Sequence, residues 1–567
     1  METDKKVPVL IVGGGISGLT AALFLLKHNI IPLVIERHRS TSIHPRARGF
    51  DIRTMELYRE LSLSEQIREV GKALSPGWGI YTNSSLAGAL KKVKPRKGAA
   101  LQSPIQMKGL EALAAESPEM NARCTQDLSE PVLLEAAKER GAEIFFFTEL
   151  LSFQQDEAGV TAIIRHRETG EQQTLQADYM IAADGAKSNI RETLKAETIG
   201  KGVLGNLLNI YFEADLADFV RGREFSLLRV DEPDIKGLLA SINNSDRWVF
   251  HLHYDPAKGE RPEDFTQERI ITILEKVIGL PQLKISIISV LPWQPTVKVV
   301  AQMQHGHVFL VGDAAHVMTP YGGKGACTGV QDVQNLAWKL AAVIQGKATP
   351  ALLYTYNTER QVIGQYNAEQ SGKMANQYGL IKKVIYRFYR AFMTVMVINF
   401  LRLQKLFPKT GMRQLGDLMG LPDYKYSSSA IISNEVPVSG YIKAGLLNGQ
   451  PGTRLPHLWV IYQGQKISTL DLLGKGFVLF TGIDNACWKQ AANKIATEFD
   501  MTISIYSIGD NADLVYNGRQ IQDVLGIEAM GVILIRPDGF VTWRCKEQPA
   551  TPSAELKSVL GKILHGL

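Results

Sequence analysis

The sequence predicts an α/β protein made of a parallel-sheet unit, an antiparallel sheet inserted into it, and a second α/β unit at the C-terminal end. Three observations predict it. Gly13, Gly14, Gly15, Ile16, Ser17 and Gly18 join an apolar run at residues 7–12 to a helical pattern at 16–26, and a second apolar run at 31–35 ends in Glu36. Strand, glycine turn, helix and strand in this order form the Rossmann-like, dinucleotide-binding pattern. Two further turns, Asp184-Gly185 and Gly312-Asp313, each close a short apolar run far along the chain. Between them, residues 203–290 switch to strand-like runs.

The remaining elements follow from local pattern. Residues 53–70 read as a helix, and 71–106, rich in Gly, Ser, Pro and Lys, as loop or short strands. Residues 130–140 read as a helix stopped by Gly141. Runs at 144–147, 160–165 and 174–176 alternate like an antiparallel meander, and 179–182 is a buried strand leading into Asp184. Runs at 207–213, 248–254 and 283–290 suggest the inserted sheet. The chain returns with an apolar strand at 308–311 and a helix at 330–343. Residues 354–407 read as helical and 423–440 as a linker, while strands near 477–480 and 532–535 and a helix near 486–499 mark the last unit. The expected division is a discontinuous first domain (1–72, 107–195 and 291–370), an inserted domain (73–106 and 196–290), a basic connecting segment (371–430) and a C-terminal domain (431–567).

Composition narrows the class. The net charge of +6 over 567 residues is too mild to argue for nucleic acid. The excess is local, with nine Lys or Arg and no acidic residue between 370 and 416. Such a block is a solvated face or, for the greasy stretch 382–407, a contact with an anionic membrane surface. The longest uncharged apolar run, 391–401, is too short to cross a bilayer, which needs ~20 helical residues. Cys124, Cys327, Cys487 and Cys545 are scattered without metal-like spacing, so no metal or disulfide framework is expected. With no leader-like segment at the start, a reducing cytoplasm is the expected location.

The glycine motifs carry specific chemistry. Gly13 lets the chain turn out of the strand, Gly15 lets backbone approach a pyrophosphate, and Gly18 lets the helix pack closely on the sheet. Free N–H groups of the helix start, at Ile16 and Ser17, then face the phosphates. Glu36, with Arg37 beside it, sits where a carboxylate accepts from ribose hydroxyls, and its charge opposes a 2′-phosphate; FAD or NAD is favoured over NADP. Asp184-Gly185 is by itself a common turn and gains meaning from the other two motifs. Asp313 can hold a ribityl hydroxyl, and the stretch with Pro320, Gly323, Gly325 and Ala326 can place N–H groups at a flavin edge that becomes negative on reduction. His316 reads as a structural histidine, with a base as the alternative. Asp332 and Asn335 read as capping or packing residues.

Here the residues resemble a known family, the single-component (group A) flavoprotein aromatic hydroxylases, and within it the polyketide and phenol hydroxylases with a thioredoxin-like C-terminal domain. Gly13 to Gly18 with Glu36 resembles the family's ADP-binding turn. Pro45-Arg46-Ala47 leading into Arg53-Thr54-Met55-Glu56 resembles its flavin-contacting arginine segment, and Gln126 its cofactor-contacting glutamine. Asp178-Tyr179 through Ser188 and Arg191 is similar to the motif tied to both flavin and NAD(P)H. Phe309 to His316, with Pro320 to Gly329, is similar to the ribityl-binding motif. Pro451 to His457 and Arg536 to Arg544 resemble signatures of the C-terminal domain, which here has no Cys-x-x-Cys pair and so no dithiol chemistry. The family often has Gln at the place of Lys324 and Met-Asn at the place of Ala326-Cys327.

The resemblance implies FAD as cofactor, NADPH or NADH as a transient co-substrate, and transfer of oxygen from a C4a-hydroperoxyflavin to an aromatic or polyketide-like small molecule. A Baeyer–Villiger or epoxidising relative and a flavin-binding auxiliary protein are the alternatives, the last favoured by the departures around Lys324. His251 and His253 share one face of their strand. With Tyr211 they are the candidate substrate contacts, and no side chain is singled out as catalytic acid or base. A monomer or homodimer is expected.

Overall fold

Strand Lys5–Val12 is apolar enough to be covered on both sides, and it takes the middle of a parallel sheet. In the computed structural model, which describes residues 5–74, 79–95, 116–382, 424–433, 442–443, 447–516, 518 and 521–566, it pairs with Leu33–Glu36 on one side and Gln172–Ala182 on the other. Glu143–Phe146 extends the sheet beyond Leu33–Glu36, and Val308–Leu310 adds beside Gln172–Ala182. The first half of Gln172–Ala182 also carries an antiparallel meander of Thr148–Asp156 and Gly159–His166. Residues 144–146 thus join the parallel sheet rather than the meander. Phe147, in the left-handed region at φ 55°, ends that strand and lets Thr148 begin another.

Other boundaries also move. The helix expected over 53–70 is two, Ile52–Glu60 and Ser64–Gly71, parted at Ser62, whose φ is 58°. Helices begin earlier than pattern suggested, at Gln126 and at Gly325. The helix expected over 354–407 is Tyr354–Met374, and residues 376–379 turn the chain away. Residues 383–407, including nearly all of the suggested membrane-contact stretch, lie outside the described residues. Among those described, no helix is long and apolar enough to cross a membrane.

The inserted sheet has the order Ser286–Trp293, Leu207–Glu213, Arg247–His253, Lys236–Ser241, Leu227–Asp231 and Ile80–Thr82. Alternation divides its faces. Trp248, Phe250 and Leu252 pack with Ile270, Leu274 and Val277 of helix Gln267–Ile278 in a core of their own. Tyr211, Val249 and Ala240 line the opposite face, which looks toward the first unit and meets Leu74 and Leu128.

The C-terminal unit is a seven-stranded mixed sheet around Phe477–Thr481, covered by helices Ala486–Glu498 and Pro552–His565. Trp338 and Leu352 of the first unit enter the same core. The junction is also ionic. Arg536 sends Nη1 and Nη2 to the two oxygens of Glu359 at 2.6 and 2.9 Å and binds Asp538, while Lys339 Nζ lies 2.9 Å from Glu359 Oε2. Arg360 Nε donates to Asp332 Oδ1 at 2.8 Å, and its Nη1 reaches the hydroxyls of Tyr424 and Tyr426. The stretch expected as a linker therefore supplies buried phenols to this junction.

Candidate active site

Register decides where the three glycine turns go. Val12 and Leu310 both stand beside Ala182 at the C-terminal edge of the parallel sheet. Gly13, Asp184 and Gly312 therefore open their turns at one edge, the place where open α/β sheets bind ligands. The glycines are dictated by contact. A Cβ on Gly13 (φ 114°) would lie 2.2 Å from the Ala183 carbonyl oxygen, and one on Gly18 would lie 1.9 Å from that of Gly13. Ser17 Oγ is wedged between Gly312 and Gly329, 2.5 and 2.4 Å from where their Cβ atoms would be. Arg191 ties the second turn to the third, with Nη2 donating to Ala186 O at 2.9 Å and Nη1 to Ala314 O at 3.1 Å.

Around this edge stand the residues a dinucleotide needs. Gly15 is the N-cap of helix Ile16–Lys27 and has no side chain of its own to cap it, while the Glu130 carboxylate reaches in from its helix to the Ile16 N–H. Beyond Ile16 the first turn keeps N–H groups for a phosphate. Glu36 Oε2 accepts from Gly14 N at 2.7 Å, and Oε1 from the backbone and ring nitrogens of His38. A carboxylate has about four lone-pair positions, so Oε2 keeps one for a hydroxyl. Arg37 is exposed beside it. Asp184 Oδ2 accepts from Ile190 N at 3.2 Å, while its Oδ1 is buried with no partner. Gly185 has φ 84° and nothing within 4 Å of its Cβ position.

Asp313 lies deep in the molecule, and burial raises its carboxyl pKa against the pull of His316, Arg46 and Arg191. Its side chain nevertheless faces open space, so it lines a gap enclosed by protein. The Gly325 Cβ position is 3.9 Å from Asp313 Oδ1, which puts this carboxylate near the start of helix Gly325–Ile344. Pro320, Gly323 and Ala326 complete that corner; Gly323, at φ 65°, leaves open space. Turns whose Gly13, Gly18 and Gly312 admit no Cβ, an orphaned Asp184 oxygen and an inward-facing Asp313 fit FAD.

The arginine segment and Gln126 also come together, since Gln126 N donates to Arg46 O at 2.7 Å. The Gln126 amide nitrogen is taken by Glu130 Oε1 at 2.6 Å, while Glu130 Oε2 accepts from Ser42 N at 2.7 Å. Sequence pattern gives Glu130 no role beyond the helix. Lys324, whose type departs from the family, has Nζ 3.5 Å from Asp51 Oδ2. Cys327 is fully buried, its thiol pushed up to about 12 by burial. His316 is held from one side: its Nε2 lies 2.6 Å from Asp332 Oδ2 and the ring packs on Gly364, while its buried Nδ1 has no partner. Burial alone would raise the Asp332 carboxyl, but His316 and Arg360 hold it below the usual range. Asp332 Oδ2 also accepts from Gly312 N at 3.2 Å, bracing the third turn.

The sheet face opposite these turns bears the candidate substrate residues. Tyr211 OH accepts from Arg247 Nε at 2.8 Å, and Arg247 Nη2 reaches Asp127 Oδ2 at 2.6 Å. His251 Nδ1 pairs with Asn209 Oδ1, and burial, with His44, Arg48 and Arg46 nearby, pushes its pKa down to about 3. His253 lies farther along the strand, its Nδ1 3.1 Å from Asn206 O and its ring against Tyr378. His44, Arg48 and Asn209 belong to this crevice but have no sequence signal of their own, because only the fold brings residues 44–48 beneath the inserted sheet.

Comparison with known proteins gives this geometry a family. Residues 6–371 match the FAD binding domain model, and 448–565 match the model of the aromatic-ring hydroxylase C-terminal domain. The chain belongs to the FAD-dependent aromatic-ring hydroxylases. It is 37% identical over 580 residues to a tetracenomycin A2 monooxygenase-dioxygenase of Streptomyces glaucescens, covering 99% of this chain and 97% of that one. It is 30% identical to a 2,4-dichlorophenol 6-monooxygenase of Delftia acidovorans, covering 100% and 98%. The crystal structure of aklavinone-11 hydroxylase in a ternary complex with FAD and aklavinone superposes with a TM-score of 0.81 at 31% identity, covering 99% of both chains. This hydroxylase is therefore an FAD-dependent monooxygenase that consumes NAD(P)H and O₂, with a Rossmann-like FAD-binding unit, an inserted antiparallel sheet and a thioredoxin-like C-terminal unit. The auxiliary, non-oxygenating reading falls away, and the Lys324 loop no longer argues for it, since its ammonium has a carboxylate to answer it.

Proposed function

We propose that this hydroxylase oxygenates a fused-ring aromatic polyketide, held between the face of the inserted sheet and the three glycine turns. The observation that carries this reading is the length and make-up of that face. Val249, His251 and His253 alternate along it, a span of ~13 Å at ~3.3 Å per residue. Leu238 and Ala240 from the neighbouring strand pack beside it against other protein residues, and Asn209 and Tyr211 add polar points. A flat polycycle several rings long matches that surface better than a single phenol. The relatives named for tetracenomycin and aklavinone support the same class.

In this reading FAD, when bound, would pass the two electrons of NAD(P)H to O₂, so that one oxygen atom enters the substrate and the other leaves as water. Gly13, Gly15, Ile16, Ser17 and Gly18 hold its pyrophosphate, Glu36 and Arg37 its adenosine side, and Arg46, Gln126, Asp184, Gly185, Gly312 and Asp313 its middle. Pro320, Gly323, Gly325 and Ala326 place a helix start at the flavin ring. The inserted sheet covers the substrate and keeps water out. The four free cysteines suit work in the cytoplasm. The test is turnover of a panel of simple phenols and polycyclic hydroxyquinones, reading NAD(P)H consumed against oxygenated product. Tighter coupling with the polycycles is expected, and coupling confined to single-ring phenols would overturn the reading.

A further inference from the structure

One buried ring in the crevice is left with nothing to hold. His44 is 5% exposed, and neither of its ring nitrogens has a hydrogen-bond partner. Buried polar side chains almost always have one, so an imidazole orphaned at both nitrogens calls for a ligand. Its backbone is well fixed: His44 O accepts from Arg46 N at 2.8 Å, and His44 N donates to Ser42 Oγ at 3.3 Å. The ring lies under the inserted sheet, 5.8 Å from the Tyr211 ring centroid and tilted by 58° to it. Tyr211 does not satisfy it: the phenol oxygen accepts from Arg247, and its hydroxyl makes no hydrogen bond to either ring nitrogen.

We propose that His44 is a specificity-determining residue, one that accepts a hydrogen bond from a free phenolic hydroxyl of the substrate. This rests on the proposed function, since it presumes that an aromatic ring occupies the crevice. The surroundings decide the role of the imidazole. Burial and then Arg46 push its pKa down to about 4, against the upward pull of Asp127. Arg48 and the neutral His251 stand nearby. His44 is therefore neutral at working pH and has a lone pair to offer. It is no base for the reaction: moving a proton from a phenol, pKa ~10, onto this ring would face an equilibrium of roughly one in a million. Recognition remains. A hydroxyl is welcomed by the lone pair, and a methoxy group in its place would leave the nitrogen unpaired.

The test measures binding of β-naphthol and of its methyl ether to the FAD-loaded protein, read from perturbation of the visible flavin spectrum. Wild type is expected to prefer the naphthol. In His44→Phe that preference should shrink by on the order of tenfold, the worth of a typical hydrogen bond, with FAD content and thermal midpoint kept. His44→Gln or His44→Asn should restore part of it. A His44→Phe protein that keeps the wild-type preference, a wild type that binds both compounds alike, or loss of FAD with His44→Phe each overturns the proposal. Wild-type turnover separates the two readings. Failure to oxygenate any member of the panel strikes the proposed function, whereas coupled turnover with an unmoved preference strikes only His44.

Discussion

Two polar regions flank helix Gly325–Ile344, and they are built on opposite terms. Along one side, Asp332, Asn335 and Lys339 join Glu359, Arg360, Arg536 and Asp538 in a cluster whose charged side chains have partners of opposite sign, all of them fully or almost fully buried. Around its first turn lies the crevice, where Asp313 faces open space and Asp184 Oδ1 and both nitrogens of His44 have no protein partner. A buried polar group must be answered by something. Where protein answers it, the group serves the fold; where protein does not, it is available to a ligand.

The sharpest way to break the comparison is to remove one charge from the satisfied side. Glu359→Ala would leave Arg536 and Lys339 buried without their shared carboxylate, and breaking a buried ion pair costs about 3–5 kcal/mol. Denaturant unfolding should show that loss, and unfolding within ~1 kcal/mol of wild type would contradict it. Replacing Glu359, Arg536, Lys339 and Asp538 together with apolar residues of similar volume, so that no buried charge is left without its partner, should recover much of the stability.

Acid separates the two regions by pH. His44 and His251 in the crevice, and His457 in the C-terminal unit, are held neutral mainly by burial, near 4, 3 and 4 against 6.5 when unfolded. Their contribution is complete above pH 6.5 and is lost as pH falls from there toward 4, ~1 kcal/mol each by about pH 5.5. Glu359 behaves differently. Burial alone would raise its carboxyl, but Arg536 and Lys339 hold it far below the unfolded 4.5, so its share is lost only as pH drops below that value. Stability against pH should fall in two stretches, and a flat profile from pH 7 to 5 would remove the first.

On the unsatisfied side, Asp313→Ala should leave the fold intact and weaken FAD. A charge-assisted hydrogen bond is worth about 1.5–3 kcal/mol, so the FAD dissociation constant should rise roughly ten- to a hundredfold. Protein that stays as yellow as wild type after extensive dialysis would mean that Asp313 does not hold the cofactor.

The two regions also differ in how far the sequence betrays them. The glycine turns are legible because Gly13, Gly18 and Gly312 are demanded by backbone geometry, which leaves a fixed spacing in the chain. The strand alternation at 247–253 likewise shows which face His251 takes. The ion cluster leaves no such mark. Tyr424 and Tyr426 sit in what reads as a linker, and Glu359 meets Arg536 across 177 residues. His44 is invisible for the same reason, since its meaning lies in what surrounds it. Breaks at Ser62 and Phe147 escape pattern because each depends on one residue adopting positive φ without being glycine.

Lys324 lies between the two regimes and gives the smallest expected effect. Its ammonium stands at the start of the helix facing the crevice, where it would meet a flavin ring if it turned inward. The structure turns it to Asp51 instead, with its side chain 26% exposed. A partly solvated pair at 3.5 Å is worth about 0–1 kcal/mol. Lys324→Gln should therefore change thermal stability and FAD affinity little, about twofold at most in the latter, and leave the rate of flavin reduction by NADPH near wild type. A tenfold fall in that rate with FAD still bound would place the charge at the flavin, and the lysine would then belong with the crevice rather than with the fold.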